Sequence, residues 1–431
     1  MTDARGDRYR YPMALPAALA CIRCGADYPL AHYADDCPAC RGAGVPSNLT
    51  VRYAETPGAS LRRDALSAGP NSLWRFAEFL PLPAAEAITL GEGATPLHDV
   101  AALGLGPVWA KDESRNPTWS FKDRLACLAV SMGRALGATV IASSSSGNAG
   151  AATAAYAARA GLPCVVFTTR GAVGPMVAQM RAYGAMVFEC ADRADRWTLV
   201  SAGVKRCGWY PTTTYFGPAV GSNPYGIEGY KTIAYEIAEQ CGWVPPDWCV
   251  LPVCYGDALY GMWKGFEELR ALGWIDRVPR LAAAEVSGSL AAALAGGAAM
   301  PPVRKRNEPT IAPSIGADQG TVQGLEALRR TDGAAVTIDN AEMEHWQAEL
   351  ARRTGLYAEP ASVAPFAAIA RLRAAGTIAA DARTVVLLTA GGLKDPAASE
   401  RTLSAAPGLA DGDFDAACRA LKTHYGFDPH A

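Results

Sequence analysis

Long apolar runs, an excess of either charge and histidine are all scarce in this 431-residue chain. No apolar stretch reaches the ~18 residues a membrane-spanning helix needs, so no membrane role is expected. Forty Lys and Arg oppose 42 Asp and Glu, a formal net charge of −2. Such balance lacks the basic footprint of a nucleic-acid binder. The five histidines, at 32, 98, 345, 424 and 430, stand in no nucleophile motif, which argues against a serine or cysteine hydrolase. The opening MTDARGDRYRYP has no apolar signal core, so export is not expected.

What is present is an ordinary globular composition, 50% hydrophobic and 19% charged, long enough for two or three domains. Cysteine is the exception, with twelve copies. Those at 127, 164, 190, 207, 241, 249, 254 and 418 are scattered, as reduced thiols of a cytoplasmic protein would be. The other four form Cys21-Ile-Arg-Cys24, twelve intervening residues, and Cys37-Pro-Ala-Cys40. Two such knuckles suit one tetrahedral Zn²⁺ held by four thiolates. The segment is too small to fold on a hydrophobic core, so the metal would be structural. Four cysteines leave no open position for catalysis. A knuckle without metal and a redox dithiol are the alternatives. Within 21–40 only Arg23 is basic, against Asp27, Asp35 and Asp36, which disfavours nucleic acid as a partner.

Residues 1–45 read as this zinc-ribbon-like segment and 46–90 as a linker with short helices around Leu73, Trp74, Phe76, Phe79 and Leu80. From 91 onward strands and helices alternate. Apolar residues at 125, 128, 129, 132, 135 and 136 predict a helix over Phe121–Leu136, stopped by Gly137. A strand follows over 138–142, a Ser/Gly loop over 143–150 and an Ala-rich helix ending near Gly161. Further strands are predicted at 164–168, 185–190, 248–254, 280–286 and 384–389, with helices at 175–183 and 258–272. This alternation predicts an α/β fold of parallel sheets wrapped by helices, divided as 91–230 and 231–431. Ligands of such sheets sit at the carboxyl ends of the strands.

Two loops carry chemistry. In Lys111–Arg124, KDESRNPTWSFKDR, Asn116-Pro117-Thr118 is a turn, Ser120 an N-cap and Asp123 its capping-box partner. Lys122 then stands in the first helical turn, where the helix dipole disfavours an ammonium. A free amine there can form a Schiff base with an aldehyde. A solvated surface lysine is the plainer alternative. In Ser143–Gly150, SSSSGNAG, a loop between strand and helix offers N–H groups and hydroxyls to an anion such as a substrate carboxylate. A flexible Ser/Gly turn reads the same way.

Together these segments resemble the threonine synthase group of fold-type II pyridoxal 5′-phosphate (PLP) enzymes. NPTWSFKDR resembles that group's NPTGSFKDRG, and SSGNAGAATAAYAARAG its S-[ST]-G-N-[TA] loop and following helix. Gly91–Leu97, Asn223–Thr232, Leu251–Phe266 and Thr389–Pro396 resemble four further segments in the same order, so the likeness covers about residues 90–400. Some members also carry an N-terminal zinc-ribbon-like segment.

The resemblance implies two doubly wound parallel-sheet domains, PLP on Lys122 as a Schiff base, and Lys122 as proton shuttle. It implies Asn148 at the cofactor's ring hydroxyl and Thr389 at the pyridine nitrogen. Val253, Cys254, Tyr255, Gly256, Asp257 and Ala258 would cup its phosphate. Ser145, Ser146 and Gly147 would take the substrate carboxylate. A homodimer follows by the same analogy. The implied reaction eliminates or replaces a Cβ or Cγ leaving group on an amino acid, O-phosphohomoserine to threonine being one case. A β-replacement or dehydratase enzyme with a non-phosphorylated substrate is the alternative. A dead fold used as a binding module is a third, opposed by the presence of Lys122, Asn148 and Thr389.

The sequence departs from the group's pattern at four places. Only Gly256 survives of a V-G-x-G-G phosphate loop, and Asp257 beside a phosphate is unfavourable unless its side chain turns away. Gly226 stands where an arginine usually holds the substrate phosphate, leaving Lys231 or Arg115 as replacements, or a substrate without phosphate. Trp119 replaces a glycine beside the Schiff-base segment, where its ring either meets substrate or packs elsewhere, and Leu125 replaces another glycine. Glu359-Pro-Ala-Ser362 matches a family segment with no chemistry assigned.

Overall fold

The computed structural model describes residues 15–30, 36–172, 174–409 and 412–429. The first twelve residues, His32, Asp35 and His430 lie outside them. The N-terminal unit is a three-stranded antiparallel sheet of β1 (Pro16–Cys21), β2 (Asp27–Tyr28) and β3 (Leu49–Tyr53), ordered β2-β1-β3, with the short helix α1 (Pro38–Gly42). This unit runs past residue 45, because β3 pairs along the whole of β1, Cys21 opposite Leu49. The helices expected in the linker are 3-10 turns, and Leu73–Phe79 buries Leu73, Trp74, Phe76 and Phe79.

A six-stranded sheet follows, ordered β12-β11-β10-β13-β5-β4. It comprises β4 (Leu97–Asp99), β5 (Val108–Asp112), β10 (Trp248–Pro252), β11 (Arg280–Glu285), β12 (Ala334–Thr337) and β13 (Thr384–Leu388). All neighbours are parallel except β4 with β5. The second sheet, ordered β8-β7-β6-β9, is wholly parallel: β6 (Ile141–Ser144), β7 (Cys164–Thr169), β8 (Met186–Cys190) and β9 (Tyr210–Pro211). Central strands such as β10 and β13 are buried along their full length, as apolar strands covered on both faces by helices must be.

The sheets do not divide at residue 230. The chain begins the larger sheet with β4 and β5, leaves to build the smaller one, and returns at β10. Val108–Asp112 pairs with Thr384–Leu388, a contact that no local pattern announces. The helices placing the site are α2 (Lys122–Ala135), α3 (Asn148–Ala160), α4 (Gly174–Ala182), α5 (Arg193–Cys207), α6 (Pro224–Gln240) and α7 (Asp257–Ala271). Residue 230 falls inside α6, which packs against both α2 and α7.

A fully buried ion network fixes α2. Arg124 donates to Glu113 at 2.7 Å and to both Glu236 oxygens at 2.8 Å, while Lys111 reaches Glu236 at 2.7 Å. Burial alone would raise the Glu236 carboxyl, but Arg124 and Lys111 outweigh it and hold it far below the usual carboxylate range. Deleting one partner of such a network leaves an uncompensated buried charge, costing about 3–5 kcal/mol. The network thus holds the turn bearing Lys122 rigidly against α6 and β5.

Candidate active site

Lys122 opens α2, and its position is set by the end of β13. Phe121 N donates to Thr389 O at 2.8 Å, and Ser120 bridges Ala390. The predicted Ser120–Asp123 capping box does not form. Asp123 turns back instead, and its Oδ2 accepts from Thr118 N and Oγ1, each at 3.0 Å. The Asn-Pro-Thr turn brings Thr118 within reach first, so Ser120 Oγ is left buried without a partner. Burial pushes the Asp123 carboxyl up to about 7.

The Lys122 amine lies 4.4 Å from the centre of the Phe121 ring, on the wall of a cavity of about 350 Å³. Among the described residues no hydrogen-bond acceptor or ion-pair partner meets it. Burial lowers its pKa, with Asp257, Cys254 and Glu359 pulling the other way. The amine is therefore easier to deprotonate than a surface lysine.

The smaller sheet supplies the opposite wall. The loop Ser145–Gly147 leaves β6 and enters α3, and all three residues line the cavity with Asn148. Asn148 Nδ2 donates to Glu359 Oε2 at 3.1 Å, while Asn148 Oδ1 is buried without a partner. Ser146 Oγ contacts Thr169 Oγ1 at 2.7 Å and accepts from Thr169 N and Arg196 Nη1. At the end of β13, Thr389 Oγ1 stands 2.8 Å from Ser362 Oγ.

Val253 to Ala258 all line the same cavity at the N-terminus of α7. Gly256 has φ +84, and an added Cβ would stand 2.5 Å from Gly324 Cα, so only glycine fits there. Asp257 does turn away. Its carboxylate accepts from Ser222 N at 3.2 Å, from Ser222 Oγ at 2.6 Å and from Gln323 Nε2. The first-turn N–H groups of α7 are thus left for an anion, with the helix dipole behind them.

The chain is 33% identical over 386 residues to the threonine synthase of Methanosarcina acetivorans, covering 88% of this chain and 92% of that protein. It is 32% identical over 419 residues to that of Methanocaldococcus jannaschii, covering 93% and 98%. Residues 88–390 match the family described as pyridoxal-phosphate dependent enzyme. The chain belongs to the threonine synthase family of PLP-dependent lyases. Among solved structures, a fungal L-serine ammonia-lyase from Rhizomucor miehei matches with TM-score 0.61 at 20% identity, covering 72% of this chain and 97% of that one. Maize serine racemase matches with TM-score 0.59 at 17% identity, covering 77% and 92%. Both share the fold, the expected fold-type II α/β architecture.

The residues fit the family's cofactor. A lysine without an acidic partner, an orphaned amide oxygen on Asn148, and the free N–H groups at Gly256 face one cavity. Two expectations do not hold. Trp119 does not line the cavity but is 58% exposed, on a backbone with φ +65. That left-handed conformation is one that glycine adopts without strain. Neither basic replacement for Gly226 reaches the site. Lys231 is buried between Glu228 and Glu268, at 2.7 and 3.0 Å, and Arg115 is an exposed partner of Asp112. Cavity residues with no role assigned from sequence include Glu359 and Ser314, which are 3.2 Å apart, and Arg193 and Arg196 on α5. Glu359 was flagged by its family segment; nothing local marks the two arginines.

The four cysteines of the N-terminal unit converge, their sulfurs all within 4.8 Å of one another. Cys21–Cys40 and Cys24–Cys37 measure 3.6 and 3.7 Å. Four thiolates about 2.3 Å from one tetrahedral zinc would stand about 3.8 Å apart.

Proposed function

We propose that this lyase eliminates or replaces a leaving group at Cβ or Cγ of an amino acid, with Lys122 as the residue that carries PLP and moves the substrate protons. The observation that carries this reading is the half-buried Lys122 amine, free of any acidic partner among the described residues, on the wall of the cavity that Asn148, Thr389 and the Gly256 loop also line. PLP bound there supplies the electron sink for a carbanion at the substrate's Cα.

The remaining work falls to the chain's own side chains. The N–H groups and hydroxyls of Ser145, Ser146 and Gly147 bind the substrate carboxylate and orient its Cα toward Lys122. Lys122, with its pKa lowered by burial, accepts a proton from Cα and returns one to the product. Asn148 Oδ1 would accept from the cofactor's ring hydroxyl, its amide held by the Nδ2 bond to Glu359. Thr389, anchored by Ser362, would offer the ring nitrogen a neutral hydroxyl. A neutral partner does not hold that nitrogen protonated, which favours elimination and replacement over transamination. Val253, Cys254, Tyr255, Gly256, Asp257 and Ala258 cup the cofactor phosphate through their backbone, and Asp257 is tied to Ser222 and Gln323.

The Cys21, Cys24, Cys37 and Cys40 cluster is read as a structural zinc site, supported by its tetrahedral spacing. Scattered reduced cysteines support a cytoplasmic protein, and family analogy supports a homodimer. Among the described residues no helix is long and apolar enough to cross a membrane.

The test is the absorption spectrum of the purified protein with PLP, followed by phosphate release from O-phospho-L-homoserine. A yellow band that borohydride abolishes and that Lys122→Ala lacks is expected. A wild-type protein that stays colourless with added PLP would sink the reading. Phosphate release with threonine formation would set the substrate. Gly226 favours a second possibility, a substrate without phosphate, which would give no release while the band persists.

A further inference from the structure

We propose that Arg196 and Arg193 form a second anion-binding point at the rim of the cavity, which takes an anionic group at the far end of the amino-acid substrate. This rests on the reading of the Lys122 cavity as the reaction site.

Arg196 lies in the first turn of α5, where the helix dipole disfavours a cation, so its place is not explained by helix stability. It is only 6% exposed and lines the cavity, yet no carboxylate among the described residues pairs with it. A buried guanidinium without a counter-charge costs several kcal/mol, a cost that an anion in the cavity would offset. Burial, and then the neighbouring Arg193, lower its affinity for its proton, in keeping with a cation that lacks its counterpart.

The aim of Arg196 is set by two contacts. Its Nε donates to Arg193 O at 3.2 Å and its Nη1 to Ser146 Oγ at 2.7 Å. Ser146 Oγ also accepts from Thr169 N at 3.1 Å. With both lone pairs taken by N–H donors, the Ser146 hydroxyl can only donate, to Thr169 Oγ1 or to a ligand oxygen. Arg196 thereby turns Ser146 into a fixed donor while adding its own charge to the same wall.

Arg193 supplies the second guanidinium. It lies beside the Tyr255 side chain and donates to Gly316 O at 3.4 Å, reaching from the smaller domain across the cleft. No carboxylate among the described residues pairs with it either. Two guanidiniums with planar donor forks suit a phosphate or a carboxylate. They stand on α5, far in sequence from position 226, where Gly226 offers no charge. The cation used by the family is thus absent from α6, and α5 supplies one in its place.

The experiment uses the holoenzyme, in which the Lys122 band reports an intact cofactor site. Arg193→Gln, Arg196→Gln and the double variant are titrated with O-phospho-L-homoserine, with its neutral counterpart O-acetyl-L-homoserine, and with inorganic phosphate as competitor. The preference for the phosphorylated over the acetylated ester should fall about tenfold for each arginine lost, the value of one charge-assisted hydrogen bond. Competition by inorganic phosphate should weaken in parallel, and Arg196→Lys should recover part of the preference. O-succinyl-L-homoserine separates the two anions, since retained preference for it marks a carboxylate site. An unchanged preference between charged and neutral esters would overturn the proposal. So would loss of the Lys122 band in the variants, because the arginines would then hold the cofactor. A wild-type protein without that band would instead remove the underlying reading of the cavity.

Discussion

Leu125 fills the space that a side chain at position 226 would need. A Cβ added to Gly226 would stand 2.9 Å from Leu125 Cγ and 3.0 Å from Leu125 O. Helices α2 and α6 therefore meet through a paired exchange. The sequence resemblance implies glycine at the first position and arginine at the second, and here leucine faces glycine. The two departures thus meet in one helix contact, which the Leu125 backbone oxygen and Ala129 also crowd.

Restoring the arginine alone should accordingly fail. Gly226→Arg forces overpacking at a buried helix contact, worth about 1–3 kcal/mol. Thermal unfolding should show a clear fall in Tm, and Leu125→Gly with Gly226→Arg should recover part of it. A single variant as stable as wild type would show that the helices adjust freely.

Asp123 makes stability depend on pH in a stated direction. Its folded carboxyl is raised to about 7 by burial, above the ordinary 3.8. A raised carboxyl binds its proton more tightly in the folded chain. Its contribution is therefore full below about pH 4 and is lost as pH rises toward 7. Asp123→Asn keeps an acceptor for Thr118 but cannot ionise. Its Tm should fall less than that of the wild type between pH 5 and 8, measured by scanning calorimetry. Parallel curves would contradict the assignment.

Trp119 holds a left-handed backbone at φ +65 that costs a non-glycine residue about 1–2 kcal/mol. Trp119→Val should lower Tm, because a β-branched residue tolerates this region worst. Trp119→Gly should lower it less or raise it, since relief of strain offsets the greater freedom of glycine in the unfolded chain. The cofactor band should persist in both, the residue lying outside the cavity wall.

The cysteine unit is wired to the Gly256 loop, proposed above to hold the cofactor phosphate. Asn48 follows Ser47, whose carbonyl accepts from Cys37 N at 3.0 Å. The Asn48 amide donates to Ser222 O at 2.9 Å and to Gln323 Oε1 at 3.2 Å. Ser222 and Gln323 both hold Asp257 at the edge of the Gly256 loop. With zinc on the four cysteines as proposed, its removal by a chelator should therefore weaken PLP binding by about five- to thirtyfold, the range for one or two buried hydrogen bonds, and Asn48→Ala should do the same. Titrating apoenzyme with PLP by absorbance checks it. Equal affinities with and without chelator would sever the link.

The alternation of strand and helix, the helix over Lys122–Ala135, the Ser/Gly loop before Asn148 and the cysteine knuckles are all legible in the sequence, because each rests on spacing within a few turns of chain. The place of Lys122 at the start of its helix was legible for the same reason, whereas its surroundings, Tyr230, Cys254, Asp257 and Glu359, come from distant segments. Tertiary structure alone decided four things. It placed β5 beside β13, so that one sheet is built from both ends of the chain. It broke the Ser120 cap in favour of Thr118, and it turned the Asp257 side chain toward Ser222 and Gln323. It also carried Arg193 and Arg196, unmarked on a surface-like helix, to the rim of the cavity. Each of these depends on contacts between segments distant in sequence, whose energies outweigh local preference and leave no periodic trace in the residues that make them.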